Sequence, residues 1–341
     1  MVAIIVPTMN RSSFIRRLLC YYSQYAAENT VYIADSSDDE FHLGEIKKAI
    51  ESVSHRINVV YEHYPKVNIE EAKRLILSRV TQKYASYCGD DDFLIPSTLK
   101  KCAMFLKSNP DYSNCHGTGV CLKMKNDLLY GDIQIVSDYK LLGNEFDDPY
   151  MRVYSYLSDY WPIWSVRRVD EFRGTLGLLR HIPVESFREI TMGCVPIVQG
   201  KTKLLKDLYV IRQVHQNRFQ NPSPVEAFLS EGWHTSYKEM YDVISTEIKK
   251  IAKTDETKLD KSIRQGFVNY YSTILKSRMC KREFKILRRI KDFIRQYFPY
   301  VEHLYFKYII PGVTLPKLKN KRYRHYNDFY KVSKFLKEDK C

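Results

Sequence analysis

The sequence predicts an α/β fold in which a mostly parallel sheet is flanked by helices. Two observations predict it. Apolar runs alternate with amphipathic segments through the first 125 residues, and acidic side chains follow the ends of two of the apolar runs. A β-α-β-α rhythm of this kind is typical of an open sheet with helices on both faces.

Four strand–helix pairs account for this rhythm. The predicted strands are VAIIVPT, TVYIADSS, INVVYEHY and YASYC, and the predicted helices are SFIRRLLCYYSQY, LGEIKKAIESV, NIEEAKRLILSRV and STLKKCAMFLKSN. In open sheets of this type, ligands bind at the carboxyl ends of the strands. At those ends lie Thr8, Asp35, Tyr64 and the run 90–92, so we expect the functional site there.

The predicted secondary structure changes from mixed strand and helix to helix alone after about residue 220. Further strands are predicted around 114–124, 131–140 and 204–215, and the pattern becomes helical beyond them. We therefore expect two regions. A sheet domain covers 1–220, and a helical region covers 221–341.

Most of the net charge lies in the last part of the chain. Residues 276–341 contain 19 Lys or Arg and 6 Asp or Glu, so they carry +13 of the total of +14. Within 281–298, apolar residues share one helix face and basic residues cover the rest. This pattern is typical of helices that bind anionic membranes. Peripheral membrane contact through 281–341 is therefore one expectation, and a helical lobe with a solvated basic face is the other. Nucleic-acid binding is not favoured, because the charge follows no known reading motif.

The sequence contains no stretch of about 18 apolar residues that would span a membrane. The first residues, MVAIIVPTMN, lack a basic leader and are interrupted by Pro7, so we interpret them as a strand rather than an export signal. The eight cysteines include no CxxC pair and are expected to be reduced. We expect a cytoplasmic protein, with the inner face of the cytoplasmic membrane as an alternative location.

The most informative stretch is GDDDFLIP at 89–96. Three adjacent acids at a strand end repel one another. Helix capping alone does not require them, because Ser97 offers a cap for the next helix. Mg²⁺ and Mn²⁺ prefer oxygen ligands and often take one or two carboxylates. The residues favour a divalent-cation site at 90–92, with an acidic helix N-terminus as the structural alternative.

The order of these motifs resembles family 2 glycosyltransferases of the GT-A fold, whose sheet is Rossmann-like. The resemblance covers about residues 2–215. It is carried by IIVPTMNR at 4–11, IADSSDD at 33–39, GDDDFLIP at 89–96, a glutamate-bearing segment at 185–189 and RQVH at 212–215. It implies inverting transfer of a sugar from a nucleotide-sugar donor, expected to be UDP-linked. The acceptor would be a glycan or a lipid-linked molecule in surface polysaccharide or lipopolysaccharide assembly. The alternatives are a nucleotidyl or phosphosugar transferase and a non-catalytic basic scaffold that binds anionic lipid.

The resemblance also implies roles for individual residues. The metal, Mn²⁺ or Mg²⁺, is expected on Asp90, Asp92 and His215. Donor contacts are expected from Pro7, Thr8, Arg11, Asp35, Asp90 and Asp91. Many relatives carry an aspartate where this chain has Gly89, which leaves open which aspartate contacts the metal. Structural alternatives are turn chemistry for Asp35, a solvated loop for Arg11 and a buried structural role for His215.

An inverting transfer needs a carboxylate that takes the proton of the acceptor hydroxyl. The family usually draws it from a Glu-Asp pair at a helix start, and this chain has no such pair in that region. It has Glu185 and Glu189, which are four residues apart and so share one helix face. Glu185 is favoured as the base by its place at the helix start, and Glu189 would orient the acceptor or the base. Trp161 and Trp164 are expected in the core, with a stacking platform for a sugar as the alternative.

Overall fold

The computed structural model describes residues 1–161, 164–216, 227, 229–253, 255–280 and 313–338. Nine strands form one sheet, and helices pack against it. The strands are β1 (Val2–Thr8), β2 (Thr30–Asp35), β3 (Asn58–His63), β4 (Tyr84–Tyr87), β5 (Phe93–Leu94), β6 (Tyr112–Met124), β7 (Ile133–Tyr139), β8 (Val166–Arg168) and β9 (Lys201–Gln213). The predicted α/β fold class is confirmed.

Twelve helices are formed by the described residues. They are α1 (Ser12–Tyr25), α2 (Glu40–Val53), α3 (Ile69–Ser78), α4 (Pro96–Ser108), α5 (Pro149–Ser158), α6 (Val169–Leu178), α7 (Glu185–Gln199), α8 (Trp233–Ile251), α9 (Glu256–Asp260), α10 (Gly266–Cys280), α11 (Leu315–Leu318) and α12 (Tyr326–Glu338). A π-helical turn at Lys261–Gln265 joins α9 to α10.

The sheet is parallel in its first half and mixed in its second. Its strand order is β3-β2-β1-β4-β8-β6-β9-β5, and β7 pairs with β6 outside this path. The four strands from β3 to β4 pair in parallel, whereas β8 is antiparallel to both of its neighbours. Since β6 and β9 are parallel to each other, β1, β4 and β9 all run in the same direction. Their carboxyl ends therefore meet at one edge of the sheet.

Local sequence explains where the helices begin. The side chains of Asp39 and Asn68 accept hydrogen bonds from the backbone at the starts of α2 and α3. These caps satisfy amide groups that have no partner within the helix. Ser97 does not have the capping role expected from the sequence. The N-cap of α4 is Ile95, and Pro96 fills the first turn, where its missing N–H costs nothing.

The C-terminal residues 313–338 pack onto the sheet domain. Helix α12 buries one apolar face, and the Phe335 ring lies 5.5 Å from the Tyr21 ring and 6.2 Å from the Phe93 ring. The amide of Gly131 donates a hydrogen bond of 2.7 Å to the carbonyl of Leu336. This part of the basic region is therefore continuous with the main body.

Two sequence expectations concern residues that are not described. The basic amphipathic helix at 281–298 lies outside the described residues, and so does 217–226, where the domain boundary near 220 was expected. Among the helices that are described, none has the length and apolar character needed to cross a membrane.

The expectation that every cysteine is reduced is wrong at Cys20, which is disulfide-bonded. The free cysteines among the described residues are Cys88, Cys102, Cys115, Cys121 and Cys194.

The packing of α12 predicts that Phe335 contributes to the stability of the whole sheet domain. Phe335 is 3% exposed, so Phe335→Ala should lower the free energy of unfolding by about 3 kcal/mol. Tyr330 lies on the same helix at 50% exposure, and Tyr330→Ala should cost less than about 0.5 kcal/mol. Urea unfolding followed by fluorescence measures both. Equal urea midpoints for the two variants would show that the buried face of α12 does not stabilise the sheet domain.

Candidate active site

Three strand ends bring the predicted site residues together. Thr8 ends β1, the acids 90–92 follow β4, and His215 follows β9. The Thr8 hydroxyl donates a hydrogen bond of 2.8 Å to Asp90 Oδ2. We call Asp90, Asp91 and Asp92 the acid cluster. Their burial at the meeting point of the strand ends agrees with the position that the sequence predicts for a ligand site.

Arg11 joins the acid cluster to the end of β9. Its Nη1 lies 2.7 Å from Asp90 Oδ1, and its Nη2 lies 2.9 Å from Asp91 Oδ2. His215 Nε2 lies 2.9 Å from the same Asp91 oxygen and 3.1 Å from Arg11 Nη2. The imidazole also stacks on Phe14, with ring centroids 4.9 Å apart. Residues that are more than 200 positions apart in the sequence thus share one set of charged contacts.

Asp92 has a different set of partners. Its Oδ2 lies 3.0 Å from Arg212 Nε, and its Oδ1 accepts a hydrogen bond of 3.1 Å from the backbone amide of Gln213. The side chain is only 1% exposed. Both carboxylate oxygens are therefore used to hold the end of β9 against the loop after β4.

Sequence reasoning missed Arg17, which is fully buried below the acid cluster. Its guanidinium donates to the backbone carbonyls of Asp91 and Leu129, each at 2.9 Å, and to the side chain of Gln213. Burial lowers the pKa of Arg17 to about 10, and the charge of Asp91 acts in the opposite direction. The sequence did contain an indication that Arg17 is buried. Arg17 is a basic residue three positions after Phe14, on the apolar side of a predicted helix.

Burial and charge compensation act differently on the three acids. Burial raises the pKa of Asp90 to about 7 against the effect of Arg11, and it raises the pKa of Asp92 to about 6 against the effect of Arg212. Burial also acts to raise the pKa of Asp91, but His215 and Arg11 outweigh it and hold that pKa well below its usual range. Asp91 is therefore the member of the cluster whose ionised form is most strongly favoured.

The absence of an acid at position 89 has a steric reason. A Cβ added to Gly89 would lie 2.8 Å from Asp91 Oδ1 and 3.0 Å from Asp92 Oδ2. The backbone turns sharply here, with the amide of Asp92 bonded to the carbonyl of Gly89 at 3.1 Å. The carboxylates of Asp91 and Asp92 fold back over Gly89, so a side chain at this position would displace them.

Asp35 and Pro7 lie on the neighbouring strands. In the register of β1 and β2, Thr8 pairs with Asp35. The Asp35 carboxylate is buried; its Oδ1 accepts from the amide and hydroxyl of Ser37, and its Oδ2 accepts at 2.9 Å from the hydroxyl of Tyr61. These contacts fit the structural alternative of a turn residue. The expected contact of Asp35 with the donor stays a prediction.

The two candidate bases lie on α7, as the sequence predicts. Glu185 is the first residue of the helix and is half-buried. Burial raises its pKa, Arg188 opposes the change, and the charge of Glu70 on α3 adds to it. Glu189 accepts a hydrogen bond of 3.0 Å from the hydroxyl of Tyr160. The roles of both glutamates stay predictions.

The two candidate platform tryptophans have different environments. Trp161 is 1% exposed and packs edge-on against Tyr156, in agreement with a core position. Trp164 is half-buried, and its ring centroid lies 4.9 Å from the guanidinium carbon of Arg212. Arg212 is the ion-pair partner of Asp92, so Trp164 lies beside the acid cluster rather than in the interior.

The donor chemistry of the site fits a divalent cation. Carboxylate oxygens and an imidazole nitrogen are ligands that Mn²⁺ accepts, and Mg²⁺ accepts the oxygens. In the part of the chain that the structure describes, no group of three His, Cys, Asp or Glu side chains is already arranged around a metal-sized point. The guanidinium of Arg11 bridges Asp90 and Asp91.

Residues 3–167 match the family model described as "Glycosyl transferase family 2". This segment is a family 2 glycosyltransferase domain. For residues 3–167, the family and the enzyme class predicted from the motifs are confirmed. A comparison with curated protein sequences gave no match.

Solved glycosyltransferase structures share the GT-A fold of this domain. The S. aureus TarS fragment 1–349 in complex with UDP-GlcNAc has a TM-score of 0.52 and 17% identity, over 98% of this chain and 89% of that one. The same fragment in complex with UDP has a TM-score of 0.50 and 18% identity, over 98% and 88% of the two chains. A longer TarS chain has a TM-score of 0.50 and 18% identity over 80% of this chain, which spans only 43% of its length. At these identities the likeness establishes the fold.

The crowding at Gly89 predicts a measurable loss of stability. Gly89→Ala should lower the free energy of unfolding by about 1–3 kcal/mol, because the new methyl group meets two buried carboxylates. Gly44 is a matched control in the middle of α2, where a Cβ would meet nothing within 4 Å. Gly44→Ala should stabilise by about 0.5–1 kcal/mol through helix propensity. Chemical denaturation measures the change in the free energy of unfolding for both variants. If that change had the same sign in both, the folded-back arrangement of the acids would be wrong.

Proposed function

We propose that this chain transfers a sugar from a UDP-linked donor to a glycan or lipid-linked acceptor, with inversion and with a divalent cation. One observation carries the proposal. Thr8, Arg11, Asp91 and His215 converge at the carboxyl ends of parallel strands, where open α/β sheets bind nucleotides. The S. aureus TarS structures in complex with UDP-GlcNAc and with UDP share this fold, which supports UDP as the nucleotide.

We assign the cation to Asp90, Asp91 and His215 rather than to Asp92. Asp91 and His215 already approach each other at 2.9 Å, and Asp90 shares with Asp91 the partly exposed partner Arg11. Asp92 is held instead by Arg212 and by a backbone amide of β9, which cannot exchange partners. When bound, Mn²⁺ or Mg²⁺ supplies positive charge to the diphosphate as it leaves.

Arg11 would exchange partners when a donor binds. It is 20% exposed and pairs with two carboxylates, so its guanidinium can reach the space above the acid cluster. Guanidinium groups pair with phosphate in the same forked geometry that they use with carboxylates. A cation on Asp90 and Asp91 would therefore free Arg11 to contact the donor diphosphate, while Pro7, Thr8 and Asp35 line the nucleotide side.

Glu185 is the proposed base. Its pKa is raised mainly by burial, and a carboxylate with a raised pKa holds more firmly the proton that it takes from an acceptor hydroxyl. Glu189 already has a hydrogen-bond partner in Tyr160, which suits it to orient an acceptor rather than to accept a proton.

We place the activity in surface-glycan assembly at the cytoplasmic face of a membrane. Exposed basic residues on the segment 319–337 support contact with anionic lipid, because the packed face of α12 leaves its lysines pointing outward. The exposed bases are Lys319, Lys321, Arg322, Arg324, Lys331, Lys334 and Lys337.

The cation assignment predicts a difference between neighbouring aspartates. Asp91→Asn and His215→Ala should each weaken Mn²⁺-dependent binding of UDP-GlcNAc by about tenfold or more, because each removes a ligand. Asp92→Asn should keep the cation dependence but lower the melting temperature, since it leaves Arg212 without its counter-charge. Calorimetric titration with and without Mn²⁺ measures the first effect, and thermal unfolding measures the second.

Two results would contradict this assignment. If Asp92→Asn lost the Mn²⁺ dependence and Asp91→Asn kept it, the metal would belong to Asp92. If all three variants bound donor as the unmodified protein does in both conditions, the site would not use a cation. Formation of UDP-GlcNAc from UTP and the sugar 1-phosphate would instead favour a nucleotidyltransferase.

The base assignment predicts a separation between turnover and donor binding. Glu185→Gln should reduce the rate of UDP release from UDP-GlcNAc by about 10²–10⁴-fold while donor affinity stays the same, because the amide cannot take a proton. Ser186→Ala is a neighbouring control on the same helix and should change the rate by less than about threefold. An equal rate for Glu185→Gln and the unmodified enzyme would exclude Glu185 as the base.

A further inference from the structure

Beside the acid cluster, two aromatic rings enclose a single arginine. The guanidinium carbon of Arg212 lies 4.9 Å from the ring centroid of Tyr139 and 4.9 Å from that of Trp164. Arg212 Nη1 donates a hydrogen bond of 3.0 Å to the Tyr139 hydroxyl, while its Nε pairs with Asp92. Arg212 therefore places both Tyr139 and Trp164 next to the acid cluster.

A second carboxylate, that of Glu189, acts on Tyr139. Burial raises the pKa of Tyr139, Arg212 opposes the change, and the charges of both Asp92 and Glu189 add to it. Tyr139 thus lies within electrostatic reach of the acid cluster and of Glu189. The hydroxyl of Tyr160 donates to Glu189, and the Tyr160 ring packs edge-on against Tyr270 at 5.3 Å.

These groups have the composition of a carbohydrate subsite. A pyranose ring has an apolar C–H face that packs on an aromatic face, and its hydroxyls are donors for a carboxylate. Binding sites for small polar molecules commonly combine aromatic walls with a few placed polar groups. Trp164 is half-buried and Arg212 is 28% exposed, so this wall reaches the surface, whereas Trp161 does not.

We propose that Trp164, Tyr139 and Glu189 form the acceptor subsite, and that it takes a pyranose residue stacked on Trp164 with a hydroxyl bonded to Glu189. This inference rests on the proposed function, because it places the acceptor next to the donor site. The inference goes further than the proposed function, because it states that the part of the acceptor that receives the sugar is a pyranose and names the residues that bind it. An acceptor whose receiving end is an acyclic polyol phosphate would have no ring to stack on Trp164.

The experiment uses the full chain with UDP-GlcNAc, Mn²⁺ and a panel of methyl pyranosides, with glycerol 3-phosphate as the acyclic comparison. UDP release is measured against the concentration of each probe. We expect at least one methyl pyranoside to increase UDP release in a saturable manner, and glycerol 3-phosphate to leave it at the level of hydrolysis by water. Trp164→Ala should raise the KM for the active pyranoside by about tenfold or more, and the donor dissociation constant should stay within about twofold.

Two further variants separate stacking from a general loss of structure. Trp164→Phe keeps an aromatic face and should recover most of the affinity for the pyranoside. Glu189→Gln keeps the shape of the side chain and should raise the pyranoside KM with little change in the melting temperature. Trp233, which is half-buried and stacks on Tyr237, gives the control Trp233→Phe, for which both kinetic constants should be unchanged.

Different failures have different meanings. If UDP-GlcNAc is bound and slowly hydrolysed but glycerol 3-phosphate alone stimulates UDP release, the pyranose subsite is wrong and the proposed function stands. The same holds if Trp164→Ala and Trp164→Phe keep the KM of the unmodified enzyme. If no nucleotide sugar is bound or turned over, the proposed function fails, and the acceptor subsite fails with it.

Discussion

The compensation of three adjacent buried carboxylates is the interaction on which the rest of the site depends. Asp90, Asp91 and Asp92 are each less than 10% exposed, and an unpaired buried charge is very unfavourable. Arg11 and Arg212 supply counter-charges at distances of 2.7–3.0 Å. Removing one partner of such a pair typically costs about 3–5 kcal/mol, because the other charge is left uncompensated. The acids and the arginines are therefore one unit, and each constrains the position of the others.

This compensation also determines how the chain must fold. Arg11 comes from the first loop, the acids follow β4, and Arg212 and His215 come from the end of β9. Arg11 compensates Asp90 and Asp91, but Asp92 has its counter-charge only when Arg212 of β9 is in place. The complete site therefore cannot form from the first four strands alone. The mixed half of the sheet contributes β9. This half is thus required to complete a site whose acids follow a strand of the parallel half.

Under the proposed function, the same charge balance favours joint binding of cation and donor. A divalent cation alone adds two positive charges to a site that its arginines already neutralise, and a diphosphate alone adds about two negative charges. Together they leave the net charge almost unchanged. Arg11 can then move from carboxylate to phosphate without becoming an unpaired buried charge. The arginine that bridges Asp90 and Asp91 is in this view a residue that exchanges partners when a donor binds.

The sequence predicted the strand ends well because burial and periodicity are local properties. Thr8 and the acid cluster lie where the alternating pattern placed them, and the order of the motifs located His215. Arg17 and Arg212 were missed because their roles depend on partners that are 74 and 120 positions away, which no local pattern encodes. Ser97 was misassigned for a related reason, since a proline at the first turn of α4 moved the cap to Ile95. Gly89 looked like a departure from the family pattern, and only the distances in space show why a side chain is excluded there.

The basic C-terminal region has a structural role as well as a charge. Its composition suggested a separate piece, yet Phe335 on α12 packs against Phe93, the residue that follows Asp92. The guanidinium carbon of Arg17 also lies 4.9 Å from the centroid of the Phe93 ring, and Arg17 donates a hydrogen bond to the backbone carbonyl of Asp91. The packing of α12 is therefore linked through one aromatic ring to the residues that hold the acid cluster. A deletion of the basic region would remove this support together with the exposed lysines. Substitutions of exposed bases such as Lys331 and Lys334 therefore separate the proposed membrane contact from the integrity of the site.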